Sequence, residues 1–233
     1  MGRTLIVGDV HGCLDELDSL LEKTRFAQGV DDVVLVGDLV ARGPNPKGVL
    51  DRVAKIGARS VRGNHDARLL EVRRQPQGAK PELVKLAADL SNGEWHYLEA
   101  MPLTLDLPEH GALVVHAGVI PGRPIEQTPS EALLTIRALD ERGRWTDDKR
   151  ATALWGESYV GPPHVVFGHN ALDEPQFHEW ATGIDTGCVY GGRLTALVLE
   201  EREIVPRGKA AAAKLTSVQA RRAYCAGHPG PIR

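Results

Sequence analysis

Cysteine is scarce in this chain of 233 residues: Cys13, Cys188 and Cys225 are an odd number and show no C-x-x-C spacing. That excludes a disulfide framework or a thiolate zinc site as the organising device and leaves reduced thiols. Aromatic residues are also few, at 5%. Long apolar runs are missing: Val33–Val36, Ala112–Val115 and Val165–Phe167 fall far short of the roughly 20 residues that span a bilayer. No transmembrane helix and no membrane partner is therefore expected. The opening segment MGRTLIVGDVHG has no apolar signal core, so the expected location is the cytoplasm.

Acid is absent from one stretch. Pro206–Arg233 holds six of the 28 Lys and Arg residues and no Asp or Glu, which leaves 22 basic against 31 acidic residues before it, beneath a net charge of only −3. A basic tail can meet nucleic acid or an acidic surface. Its AAAA run and GHPGPIR ending read instead as a frayed terminus, and no nucleic-acid partner is expected. The chain is read as one domain over 1–205, with enough apolar residues for a core, followed by a basic tail over 206–233.

The apolar pattern alternates between short runs and helical spacing. Thr4–Val7 reads as a strand, and Leu14, Leu17, Leu20 and Leu21 mark a helix over Leu14–Lys23. Val33–Val36, a helix over Pro46–Ile56 and a third strand from Arg59 complete a βαβαβ unit with parallel strands. Residues 67–99 read as helices broken at RRQPQGAKPE. Leu103–Leu107 and Ala112–Val115 read as strands, Thr128–Leu139 as a helix, and Val165–Phe167, Phe177–Trp180 and Leu194–Leu199 as later strands.

Polar motifs stand where these strands end: GDVHG (Gly8–Gly12), GDLVARG (Gly37–Gly43), GNHD (Gly63–Asp66), VVHAG (Val114–Gly118) and VVFGHN, ending in His169 and Asn170. A lone Asp after a strand is usually a turn residue. Five such segments change that reading, because in open α/β sheets ligands gather beyond the carboxyl ends of the strands. Oxygen ligands from Asp9, Asp38 and Asn64 with imidazoles from His11, His116 and His169 suit Mn²⁺, Co²⁺, Fe, Ni²⁺ or Zn²⁺ better than a calcium cage. Six ligands exceed what one tetrahedral ion needs, and two ions bridged by a carboxylate and a hydroxide are expected.

In these motifs the chain resembles the calcineurin-like metallophosphoesterases, within them the phosphoprotein-phosphatase-like branch. GDLVARGP and IDTGCVYGGRLTALVLE are most similar to the bacterial symmetrical diadenosine tetraphosphatases. The resemblance spans roughly Thr4 to Glu200 and implies the α/β fold of that family, an α/β/β/α sandwich. It also implies that Asp9, His11 and Asp38 hold one ion, and Asp38, Asn64, His116 and His169 the other. Further implied are His65 as general acid and Arg42 as a phosphoryl ligand. A second phosphate-binding arginine is matched to Arg137, with Arg142 as the alternative. The implied reaction is metal-dependent hydrolysis of diadenosine tetraphosphate to two ADP, with Mn²⁺ as the expected metal and a dinucleoside polyphosphate as the partner. A serine/threonine protein phosphatase acting on phosphoproteins is the alternative, and a non-catalytic phosphate-binding scaffold a lesser one.

One departure from the family pattern is informative. Protein-phosphatase members carry GDxxDRG, whereas Ala41 stands at the second Asp. His65 then lacks the carboxylate partner that would help it protonate a poor alkoxide leaving group, which favours a phosphoanhydride. His96, His110, His164, His178 and His228 fall outside the motifs and read as ordinary hydrogen-bonding side chains, with His178 the nearest to the site. Trp155 reads as core, and Tyr190 as core or an adenine-stacking ring.

Overall fold

Neighbouring residues of one strand enter different cores. In β1 (Thr4–Val7), Leu5 and Val7 pack with Val33 and Leu35 of β2 (Asp32–Leu35), while Ile6 and Val34 belong to a separate cluster. Strand side chains alternate between faces, so a strand apolar on both must be covered on both. The computed structural model describes residues 2–151 and 153–226; His228 and the end of the basic stretch lie outside them.

After β1 and α1 (Leu14–Lys23) come β2, α2 (Pro46–Ile56), β3 (Arg59–Ser60), α3 (Asn64–Arg74), α4 (Pro81–Asp89) and α5 (Asn92–Ala100). The chain continues through β4 (Thr104–Leu107), β5 (Ala112–Val115), α6 (Ser130–Thr135), β6 (Ala138–Leu139), β7 (Trp145–Thr146) and α7 (Trp155–Ser158). It ends with β8 (His164–Phe167), β9 (Gln176–Phe177), β10 (Ala181–Gly183), β11 (Asp185–Thr186), β12 (Arg193–Leu199) and β13 (Leu215–Gln219). One six-stranded sheet runs β11-β12-β1-β2-β3 with β13 on β12, and a five-stranded sheet runs β4-β5-β8-β10-β9.

Between the sheets, Ile6, Val34 and Val36 pack with Leu107, Val114 and Val166. The outer face of the first sheet is covered by Leu17 and Leu20 of α1 and Val49 and Leu50 of α2; that of the second is covered by Leu133 and Trp155. This is the expected α/β/β/α sandwich, and each fully buried Leu, Ile or Val contributes about 1.5–3 kcal/mol to it. The helices are cut to length locally. At α2, the Asn45 side chain accepts the Gly48 N–H at 2.9 Å, Pro46 opens the first turn, and Gly57 closes the helix at φ 72°.

The predicted parallel unit is present, with β1, β2 and β3 in parallel register, as are β5 and β8. Three expectations are corrected. The helix expected over Thr128–Leu139 stops at Thr135, because buried Ile136 leaves helical geometry and Ala138 and Leu139 pair with β7. Of Phe177–Trp180 only Phe177 is strand, ending β9; residues 178–180 turn, the His178 N–H bonding to Ala181 O at 2.9 Å, and join antiparallel β9 and β10. The frayed terminus expected from Pro206 is folded as far as residue 226. β13 covers the outer edge of β12, Lys23 Nζ donates to Ser217 O at 2.7 Å, and Glu16 Oε1 accepts from Arg221 N at 3.0 Å and Tyr224 Oη at 2.8 Å. An unpaired strand edge gains from such a partner.

Candidate metal centre

The glycine-marked segments follow strands whose carboxyl ends meet at one cleft. Asp9 and His11 come after β1, Asp38 after β2, Asn64 opens α3 just beyond β3, His116 follows β5, and His169 follows β8. The cleft is about 210 Å³, lined by His11, Asp38, Asn64, His65, Arg42 and Arg137 among others, with His169 at its wall. Asp9 and His116 lie behind it, 3% and 0% exposed.

The backbone is bent to make this possible. His11, Asp38 and His169 have φ of 46°, 53° and 65°, the left-handed region that costs a non-glycine residue roughly 1–2 kcal/mol. Such strain persists where the surroundings over-determine it. At Asp38 those surroundings are the buried carboxylate of Asp66, which accepts the backbone N–H groups of Asp38 (2.8 Å), Gly63 (2.9 Å), Leu39 (3.1 Å) and Val40 (3.3 Å). Burial and the neighbouring Asp38 push Asp66 up to about 6 against those donors. At Asp9 the constraint is Gly168, where a Cβ would stand 2.0 Å from Asp9 Oδ1.

The donor atoms converge on Asp38. Its Oδ2 lies 3.4 Å from His11 Nε2 and 3.6 Å from His116 Nε2. Asn64 Oδ1 lies 3.0 Å from His116 Nε2 and 3.1 Å from His169 Nδ1, and the His169 N–H reaches both oxygens of Asp9 at 3.2 Å. His11 Nδ1 donates to Val40 O at 3.1 Å and His116 Nδ1 to Val36 O at 2.9 Å. A carbonyl can only accept, so each Nδ1 carries the proton and each Nε2 presents its lone pair to the cleft. His169 Nε2 is buried without a hydrogen-bond partner among the described residues.

Burial holds all three imidazoles neutral: His116 is lowered to about 4, and His11 and His169 well below their ordinary value. Burial also raises the carboxyls of Asp9 and Asp38, in each case helped by Asp185. Neutral imidazoles, an amide oxygen and carboxylates crowded out of water are the donor set of a divalent cation, whose charge would reverse those carboxyl shifts. The residues therefore fit a metal. Two groups of mutually close ligand atoms, Asp9 with Asp38 and His116, and His11 with Asp38 and His65, have Asp38 in common. This grouping differs from the expected one by placing Asp9 with His116 and His65 with His11 and Asp38.

Around this centre, Arg42 hydrogen-bonds Tyr190 Oη with its guanidinium carbon 5.4 Å from the ring centroid. Arg137 lines the cleft and donates to Asn170 Oδ1 at 2.6 Å and His169 O at 3.3 Å. Arg142 stands instead in the exposed turn after β6, bonded to Asp140. His178 is no neighbour of the cleft; it packs under Gly156. Trp155 is core, donating to Ala117 O at 3.1 Å. Sequence reasoning missed Asp185, Asp147 and Lys149, all in the cleft wall. For Asp185 a signal existed: it ends an apolar stretch two residues before Gly187, as the other motif acids stand beside glycines.

The similarities of the chain to known proteins agree with this geometry. It is 41% identical to the symmetrical bis(5'-nucleosyl)-tetraphosphatase of Glaesserella parasuis, over 86% of this chain and 96% of that one. It is 31% identical to the asymmetrical bis(5'-nucleosyl)-tetraphosphatase PrpE of Oceanobacillus iheyensis, over 86% and 90%. A crystal structure of a candidate diadenosine tetraphosphatase matches 94% of each chain at 36% identity with a TM-score of 0.81. The family model of the calcineurin-like phosphoesterases matches residues 2–204, and the chain belongs to that family of divalent-metal hydrolases.

Proposed function

We propose that this protein hydrolyses dinucleoside tetraphosphates, cleaving diadenosine tetraphosphate symmetrically into two ADP. The observation that carries the reading is the convergence of Asp9, His11 and His116 about a shared Asp38, with Asn64 between His116 and His169, beside the similarity to the symmetrical tetraphosphatase. Asp9, His11 and Asp38 would hold one ion, and Asp38, Asn64, His116 and His169 the second. Two divalent ions, Mn²⁺ by preference with Co²⁺, Fe, Ni²⁺ or Zn²⁺ suiting the same donors, would acidify a water and offset phosphoryl charge.

The other roles belong to the chain itself. Arg42, exposed at the cleft with its fork free of any carboxylate partner in the described contacts, binds a phosphoryl oxygen. Arg137 lines the same cleft and braces the His169–Asn170 segment, so it serves both as an anion contact and as a strut. His65, half-buried on the wall common to the cleft and the cavity beyond it, is the residue we assign to protonate the leaving oxygen. Ala41 offers no carboxylate to assist that proton transfer. A nucleoside diphosphate leaves readily without much help, whereas a serine alkoxide does not, which favours the phosphoanhydride over a phosphoprotein. No helix among the described residues is long and apolar enough to cross a membrane, and we read the enzyme as cytoplasmic.

Product analysis tests the reading. The full chain incubated with Mn²⁺ and diadenosine tetraphosphate should release ADP alone. AMP plus ATP would assign the asymmetric cleavage named for the Oceanobacillus relative, and phosphopeptide turnover at far higher kcat/KM would assign the protein-phosphatase alternative.

A further inference from the structure

The cleft that holds the candidate ligands is about 210 Å³, below the roughly 300–1,000 Å³ of ordinary small-molecule sites. It has room for the reacting phosphoryl group, not for two nucleosides. Directly beyond it lies a second cavity of about 650 Å³, and the two have Arg42 and His65 as common wall residues. His65, read above as the group that protonates the leaving oxygen, thus borders this space as well as the cleft.

The lining of the second cavity has two chemistries. Arg42, Arg68 and Lys80 set three cations against a single acid, Glu82. Arg68 is in an exposed i,i+3 pair with Glu71 at 2.9 Å, a contact weak enough to leave its charge in play. Lys80 is close enough to His65 to bear on its charge. The rest of the lining is largely apolar: Leu83 and Leu86, one turn apart on α4, face the cavity together with Pro46. None of the nine described residues of α4 is buried, although Leu83, Leu86 and Ala87 lie on one face of it. That face rests partly on the core and partly on the cavity. The loop before α4 is where the helical stretch breaks at Gln75–Pro81, so the wall is built by a feature the catalytic motifs do not require. Ala41 lines the same cavity, and a larger acidic side chain there would narrow it and lower its net positive charge.

We propose that this cavity binds the departing nucleotide, a nucleoside diphosphate, with its phosphates on Arg42, Arg68 and Lys80 and its nucleoside against Leu83 and Leu86. The proposal rests on the tetraphosphatase reading above and adds to it the place where the second half of the substrate sits. Phosphate charge would meet Arg42, which also lines the cleft, with Arg68 and Lys80, and the base and ribose would meet the apolar side chains, the division usual in ligand sites.

The test is binding, so that it does not depend on turnover. ADP and inorganic phosphate are titrated calorimetrically into the Mn²⁺-loaded full chain and into Lys80→Glu and Leu86→Asp. ADP affinity should fall by about tenfold or more in each variant, while phosphate affinity changes by less than about twofold. An equal loss for both ligands, or an unchanged ADP affinity, overturns the proposal. Leu86 touches the core, so if that variant unfolds, Lys80→Glu at its exposed position decides alone. A protein that binds ADP in this lysine-dependent way yet yields AMP and ATP from the dinucleotide would overturn symmetric cleavage and leave the cavity assignment standing.

Discussion

The carboxylate of Asp66 accepts the backbone N–H of Asp38 at 2.8 Å, so the fourth residue of GNHD fixes the residue on which the whole donor set converges. Replacing it by asparagine exchanges one acceptor oxygen for an amide that donates, against an array of four backbone N–H groups. Leaving buried donors unmet costs about 1–3 kcal/mol. Asp66→Asn is expected to lower the unfolding free energy from urea titration by that amount, and to weaken metal binding because Asp38 is no longer held at φ 53°.

Gly168 makes a sharper test of positioning. A Cβ at this residue would lie 2.0 Å from Asp9 Oδ1 and 2.6 Å from Val36 Cγ2, so Gly168→Ala must displace the Asp9 carboxylate. Disturbing what orients a ligand typically costs 10–100-fold in metal affinity, and roughly that loss is expected in a Mn²⁺ titration, with the fold retained by circular dichroism.

His65 offers a ligand atom within 4.8 Å of those of His11 and Asp38, and one substitution separates a role as general acid from one as ligand. His65→Asn should keep the bound-metal stoichiometry of the wild type while kcat falls by about 10²–10⁴-fold, the usual contribution of a general acid. Loss of one metal equivalent would make it a ligand instead.

Acid sensitivity has a component remote from the centre. His164 is 2% exposed, with Nε2 2.9 Å from Thr182 Oγ1, and burial lowers it to about 4. Its unfolded counterpart takes up a proton first as the pH falls, so the folded state loses stability from about pH 6.5 down to about pH 4 and no further below it. Between about pH 7 and pH 5 this amounts to about 2 kcal/mol. The drop in denaturation midpoint over that interval should shrink accordingly in His164→Gln. An equal drop in both proteins would sink the assignment.

Much of the site was legible because it is local. Asp9 and His11, or Asn64 and His65, stand beside glycines at the ends of short apolar runs, the β1-α1-β2-α2 stretch carries its own periodicity, and α2 its own caps. Where sequence reasoning stopped short, the deciding partner was distant along the chain. Leu215–Gln219 has little apolar signal and becomes a strand only because β12 offers an edge to it. The helix expected to run to Leu139 ends early because β7, some residues later, pairs with its last part, which turns Arg137 toward Asn170. Asp185 belongs to the cleft only because β11 lies against β12.

The sequence by itself determined the donor inventory, the family and the alternation of strand and helix, since these follow from residue type and short-range spacing. Tertiary structure decided which atoms face one another. The tautomers of His11 and His116 are set by carbonyls 29 and 80 residues away, and the common position of Asp38 follows from strands converging at their carboxyl ends. The cavity behind His65 exists because α4 packs across it. The physical reason is the same in each case: a lone pair, a charge or an apolar face acquires its chemistry from what excludes water around it, and that is settled only when distant segments meet.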